Sequence, residues 1–111
     1  MKESKIKAVQ ELLSIFKELN PEMNVNMMLT FLEVAKERGI SGIEVEHKLE
    51  LKHATAARLM RYFDKHQTQG KDGLDLFRVQ LDPSDYKVKL RFLNEKGLLV
   101  LARMDEAIKH L

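Results

Sequence analysis

Apolar positions recur along this chain with two different periods, and the change from one to the other divides it. Through its first half they return every three or four residues, as on helices with one buried face. Ile6, Val9, Leu12, Leu13, Phe16 and Leu19 predict a first helix over 5–19, with Ser4 as its cap and Asn20-Pro21 as its stop. Met27, Met28, Phe31, Leu32, Val34 and Ala35 are apolar on more than one side, so the helix over 24–38 should be deeply buried. Gly39 suits the left-handed residue that closes it. Ser41-Gly42-Ile43-Glu44 has the form of a capping box. A short helix over 42–49 should follow, burying Ile43 or Val45 together with Leu49. Leu51 falls in a tight turn, and a fourth helix over 53–67 carries the stripe Ala56, Leu59, Met60 and Phe63.

After Gly70 the period becomes two. Phe77, Val79 and Leu81 alternate with Arg78 and Gln80, and Val88, Leu90 and Phe92 alternate with Lys87, Lys89 and Arg91. Between them lies a five-residue turn-forming run, Asp82-Pro83-Ser84-Asp85-Tyr86. The pattern predicts an antiparallel hairpin with apolar residues inward and Arg78, Lys87, Lys89 and Arg91 outward. Asn94 caps a last helix over 95–110, with Leu98, Leu101, Ala102 and Ile108 as its apolar face and Leu99, Met104 and Leu111 beside it. The expected fold is therefore mainly α with a small β-hairpin (α+β). It is a single winged helix-turn-helix domain over 1–111, built of five helices plus a two-stranded wing.

Charge adds a direction to this picture. The chain has 111 residues and a net charge of only +2, but the charge is unevenly spread. Residues 52–91 hold nine Lys/Arg against five Asp/Glu, whereas residues 1–51 hold seven against nine. A basic island of this kind marks either a polyanion-binding surface or a solvated basic face. On a helical wheel of the fourth helix, Ala54, Arg58, Arg61 and Lys65 lie opposite the apolar stripe, with Thr55 and Tyr62 at one flank. Small residues let a helix approach the floor of a major groove, and arginine bonds guanine O6 and N7 in pairs. Lys52 and His53 stand at the start of that helix, where phosphate is commonly met. An ordinary exposed face carrying arginine would look the same. Cations on two successive elements favour double-stranded DNA as the partner, over edge-strand lysines that merely block aggregation.

Other chemistries find little support. There is no cysteine, which excludes disulfides, thiolate metal sites and cysteine-based redox sensing and fits a reducing cytosol. His47, His53, His66 and His110 do not have the spacing of a helical metal pair, so no metal or other cofactor is expected. No nucleophile motif or Gly-rich phosphate loop points to an enzyme. The polar start, Met1-Lys2-Glu3-Ser4-Lys5, and the lack of a long apolar run give no sign of a leader or membrane span. Met27, Met28 and Met60 are read as core packing rather than as the lining of a ligand pocket.

Leu81-Asp82-Pro83-Ser84-Asp85-Tyr86-Lys87, followed by Leu93-Asn94-Glu95-Lys96-Gly97, resembles the wing of the multiple antibiotic resistance regulator (MarR) family. In that family the wing reads Asp-Pro-x-Asp-x-Arg and continues into Leu-Thr-x-x-Gly. The resemblance spans roughly residues 25–101, and Ser41 to Arg58 resembles the family's helix-turn-helix. It implies a homodimeric repressor in a prokaryotic cytoplasm, associated with the nucleoid, that binds a pseudo-palindromic operator and answers to an unknown small-molecule effector. It places Arg58 and Arg61 in the major groove and the wing in the minor groove; the recognition-helix candidates for DNA contact are Lys52, His53, Thr55, Arg58, Arg61, Tyr62 and Lys65. Arg78, Asp85, Lys87, Lys89 and Arg91 belong to the wing, with Asp85 orienting the cation at 87. Lys87 stands where the family has arginine, and Asn94 where it has threonine. Typical members continue with a further dimerisation helix, so here the dimer would rest on 1–20 and 94–111. A winged-helix protein-interaction module, or a DNA-binding accessory factor of a mobile element, remains the alternative use of such a fold.

Overall fold

The computed structural model describes residues 1–36, 38–109 and 111. Five helices and two small sheets follow in the order α1 (Glu3–Leu19), α2 (Val25–Ala35), β1 (Ile40–Ser41), α3 (Gly42–Lys48), α4 (His53–Phe63), β2 (His66–Thr68), β3 (Lys71–Asp72), β4 (Phe77–Asp82), β5 (Asp85–Leu93) and α5 (Glu95–Ile108). The expected α+β winged helix is present. The predicted helices over 24–38 and 95–110 take in Glu37 and His110, which lie outside the described residues.

Four of the five phenylalanines knit the core. Phe31 is fully buried at its centre, within 5.9 Å of the rings of Phe16 and Phe63 and 6.3 Å of Phe77. Phe63 and Phe77 stack at 5.0 Å, which joins the helices to the root of the wing. Met60 is buried and Met27 and Met28 pack against the same cluster, so the methionines are core residues.

Local signals behave largely as the sequence suggests. Asn24, expected inside the second helix, instead caps it by accepting the Met27 amide, and α2 ends at Ala35 with Lys36 as its C-cap, so that Gly39 is left-handed at φ +67° as expected but lies beyond the helix end and does not close it. The Ser41–Glu44 capping box opens α3, which buries Val45 and leaves Ile43 half exposed. Asn94 caps α5 by accepting the Gly97 amide. Gly97 itself is obligatory, because a Cβ there would sit 2.3 Å from the Leu76 carbonyl oxygen. Ser4 does not cap α1. That helix begins at Glu3 after Lys2, which makes no side-chain capping bond.

The sheets depart further from expectation. The wing is three-stranded, in the order β1-β5-β4, because Ile40 and Ser41 pair with Arg91 and Leu90. The five-residue loop shrinks to a Pro83–Ser84 turn, since Asp82 already pairs with Asp85. A second hairpin, β2–β3, occupies residues that the sequence assigned to the end of the fourth helix and a loop. α4 stops at Phe63 because a following segment takes its last carbonyls. Leu74, Leu76, Asp75 and Gly73 donate their amides to the carbonyls of Tyr62, Phe63, Asp64 and Lys65. Tertiary bonding thus caps the helix where periodicity would have continued it.

Candidate nucleic-acid interface

The turn between α3 and α4 sets the presentation of the second helix. Leu51 donates its amide to Glu46 and Glu50 donates its amide to His47, with Glu50 at φ 53°. These bonds, with a left-handed residue between them, form a Schellman closure of α3. His53 Nδ1 lies 2.9 Å from Glu46 Oε2 and ties the first residue of α4 back to α3. His53 and Lys52 remain exposed at the helix start.

α4 buries Ala56, Leu59, Met60 and Phe63. Ala54, Arg58 and Arg61 are exposed on the opposite side, at spacings of four and three residues. Among the described residues neither guanidinium makes a hydrogen bond or ion pair, and both arginines are exposed. Thr55 is half-buried at the flank. Tyr62 is likewise partly buried at the flank, its ring is set edge-on to Phe63 at 5.0 Å, and its hydroxyl accepts a bond from Asn20 at the end of α1. Lys65 is a correction: it is exposed, but it follows the helix and sits at the root of β2–β3.

Register corrects the reading of the wing as well. Phe77 pairs with Leu93, Val79 with Arg91, and Leu81 with Lys89, while Arg78 pairs with Phe92 and Gln80 with Leu90. Directly paired residues share a face. Lys89 and Arg91 therefore lie with Val79 and Leu81, and Arg78 lies on the other face with Phe92 and Leu90. The four cations are not one outward row. Arg78 is stacked over the Phe92 ring at 4.3 Å and bonds Gln80 Oε1 at 3.1 Å. Arg91 turns inward, with Nη2 2.8 Å from Asp64 Oδ2, and is spent on that carboxylate. Lys87 and Lys89 are exposed towards the tip, beside an exposed Tyr86.

The tip is held by its own acids. Asp82 accepts the Ser84 amide at 2.9 Å and its hydroxyl at 2.8 Å. The amide bond first, and then the hydroxyl, hold the Asp82 carboxyl below its usual range. Asp85 accepts the backbone amide of Lys87 at 3.1 Å. It fixes the chain at position 87, and among the described residues it makes no ion pair with the Lys87 ammonium.

Two exposed basic elements thus flank one rigid core, a helix tail-to-turn from its predecessor and a paired ribbon. The same fold occurs in solved structures. The S. aureus MepR–DNA complex matches 96% of this chain and 77% of its own, with 16% identity and a TM-score of 0.67. The fold is the MarR-type winged helix. MarR itself matches at 13% identity and a TM-score of 0.61, over 94% of this chain and 66% of its own. The transcriptional regulator SlyA matches at 23% identity and a TM-score of 0.62, over 96% and 65%. The chain thus spans about two thirds to three quarters of the length of these three proteins. No protein-family profile and no curated protein sequence matches it.

Of the residues singled out in the sequence, Lys52, His53, Arg58, Arg61, Lys87 and Lys89 are exposed on the helix-turn-helix and wing. Sequence reasoning missed the β2–β3 ribbon. Gly70 and the polar run 64–72 signalled a break, but the period-two signal is too short to show a pairing.

Proposed function

We propose that this protein is a sequence-specific double-stranded DNA-binding transcription regulator of MarR-like type, acting as a homodimeric repressor in the prokaryotic cytoplasm. One observation carries this reading: Arg58 and Arg61 stand exposed, and unpaired among the described residues, on the helix that the MarR-type fold presents second in its helix-turn-helix. A protein of that fold, MepR, has been solved with DNA. In this reading Arg58 and Arg61 reach base edges from the major groove, with Ala54 leaving room at the groove floor. Lys52, Lys87 and Lys89 meet phosphate, which positions the protein without reading sequence. Asp85 supports the wing by holding its backbone.

The homodimer is supported by aliphatic surface on the terminal helices. Ile6, Val9 and Leu13 on α1, and Leu98 and Leu99 on α5, are all more than two-fifths exposed. Side chains of this kind at regular helical spacing mark an association surface.

Fluorescence anisotropy against a genomic fragment from beside the gene, and against a mixed-sequence duplex, tests the reading. Tight, salt-sensitive binding that prefers the genomic fragment is expected, because specific sites exceed non-specific ones by roughly a thousand-fold or more. Arg58→Ala should erase that preference, and Lys89→Ala should weaken both complexes alike. Absence of binding to either duplex at low salt would refute DNA binding and direct the search to a protein partner.

A further inference from the structure

The β2–β3 ribbon contributes nothing to the core, yet a defined set of bonds holds it. Residues 65–72 are exposed throughout except for Gln67, which is half-buried. The ribbon is anchored at its root by amide-to-carbonyl bonds from residues 73–76, two to Tyr62 and Phe63 at the end of α4 and two to Asp64 and Lys65 just after it. Gly73 makes this approach possible, since a Cβ there would lie 2.0 Å from the Asp64 carbonyl oxygen. Gly70 turns the tip at φ +80°, and Gln67 Nε2 donates to the Asp72 carbonyl across it at 3.0 Å. The root is also locked to the wing, because Asp64 immediately before it is paired with Arg91 of β5.

The chemistry of the ribbon is cationic and polar. From Lys65 to Lys71 there are two lysines, a histidine, two glutamines and a threonine, and no carboxylate. The first acid, Asp72, lies 3.3 Å from His66 Nδ1. Asp64 is neutralised by Arg91. Among the described residues Lys65 and Lys71 therefore make no ion pair, and they stand exposed just beyond the end of the helix that carries Arg58 and Arg61. Lysine with threonine and glutamine is the side-chain set that contacts phosphate in DNA complexes.

We infer that β2–β3 is a second backbone-contacting ribbon, with Lys65 and Lys71 engaging phosphates of the same duplex beyond the segment faced by α4. This rests on the DNA-binding reading of α4. It extends the interface past the helix and wing to an element that no period in the sequence announces.

The test is the salt dependence of anisotropy on a mixed-sequence duplex. Each neutralised phosphate contributes about 0.9 to the slope of log affinity against log salt. Lys65→Ala/Lys71→Ala should lower that slope by about 1.8 relative to the unaltered protein. Lys65→Arg/Lys71→Arg should retain it. Lys5→Ala/Lys7→Ala, the same charge change on α1, should also leave it unaltered. All four sites are exposed, and circular dichroism should show an unchanged fold. Hydroxyl-radical footprinting should lose protection at the flank of the site in the Lys65/Lys71 variant alone. If the unaltered protein binds and the Lys65/Lys71 variant keeps its slope, or if the α1 variant loses as much, the ribbon makes no phosphate contact. If the unaltered protein binds no duplex, the DNA-binding reading itself fails and this inference falls with it.

Discussion

Arg91 Nη2 lies 2.8 Å from Asp64 Oδ2, with Nε of the same guanidinium 3.4 Å from Oδ1, and both side chains are only 12% exposed. The pair joins the wing strand β5 to the residue that caps α4. It fixes the angle between the two elements that carry the exposed cations, and it removes Arg91 from the set able to meet phosphate. Breaking one member of a largely buried pair leaves the other uncompensated, at a cost of about 3 kcal/mol. Arg91→Ala and Asp64→Ala should each lower urea stability by roughly that amount. The double variant should cost clearly less than the two together. Arg91→Ala should leave the salt slope of DNA binding unchanged, whereas Lys89→Ala should lower it by about 0.9. A lowered slope in Arg91→Ala would mean the guanidinium leaves Asp64 for the duplex.

Glu50 occupies the left-handed region at φ 53° in the turn between α3 and α4. The Schellman closure requires that conformation, and a side chain with a Cβ adopts it at a cost of about 1 kcal/mol. Glu50 is exposed, so its carboxylate is not needed for packing. Glu50→Gly should therefore raise stability by several tenths of a kcal/mol to about 1 kcal/mol, read as a rise of a few degrees in Tm. A fall in Tm would show that the glutamate contributes more than its backbone strain costs.

Two glycines on helices should respond to alanine with opposite sign. Gly42, the first residue of α3, has open space around an added Cβ, and Gly42→Ala should stabilise by about 0.5 kcal/mol. At Gly97 the added Cβ meets the Leu76 carbonyl at 2.3 Å and Leu93 at 3.1 Å, all fixed by strand and cap. Gly97→Ala should cost about 3 kcal/mol, at the upper end for overpacking. Thermal melts of the two variants side by side check the contrast.

These particulars show which parts of the molecule its sequence discloses. Signals confined to one turn of chain survive. The Ser41–Glu44 box and the Asn94 cap act where their residue types suggest, because each needs only neighbours within four positions. Features set across the fold do not. α4 is ended at Phe63 by amides ten or so residues downstream, which moved Lys65 off the helix. The irregular register between Leu81 and Asp82 put Lys89 and Arg91 on the face of Val79 and Leu81, against simple alternation. The flank position of Tyr62 was legible on a wheel, but its bond from Asn20, forty-two residues away, was not. Even so, the exposed Arg58 and Arg61 could be read from period alone, since the buried stripe opposite them is strict.

The terminal helices supply the prediction with most consequence for the mode of action. The sequence assigned Ile6, Val9, Leu12, Leu13, Phe16 and Leu19 to one inward face of α1. The structure buries Ala8, Ile15 and Phe16 and leaves Ile6, Val9 and Leu13 at 45%, 44% and 50% exposure. Those three stand on a single stripe, at spacings of three and four. Covering their remaining area in a second copy would contribute roughly 1 kcal/mol for each residue. Sedimentation equilibrium at micromolar concentration should give twice the chain mass. Val9→Glu/Leu13→Glu should give the chain mass with its helical circular dichroism intact, because neither side chain supports the core. In DNA binding that variant should lose the preference for a two-fold site, whose half-sites in the dimer lie about one helical turn apart, while keeping weak binding to a mixed duplex. A monomer in the unaltered protein would instead make each helix-turn-helix act alone, and the recognised site would then be a single, asymmetric one.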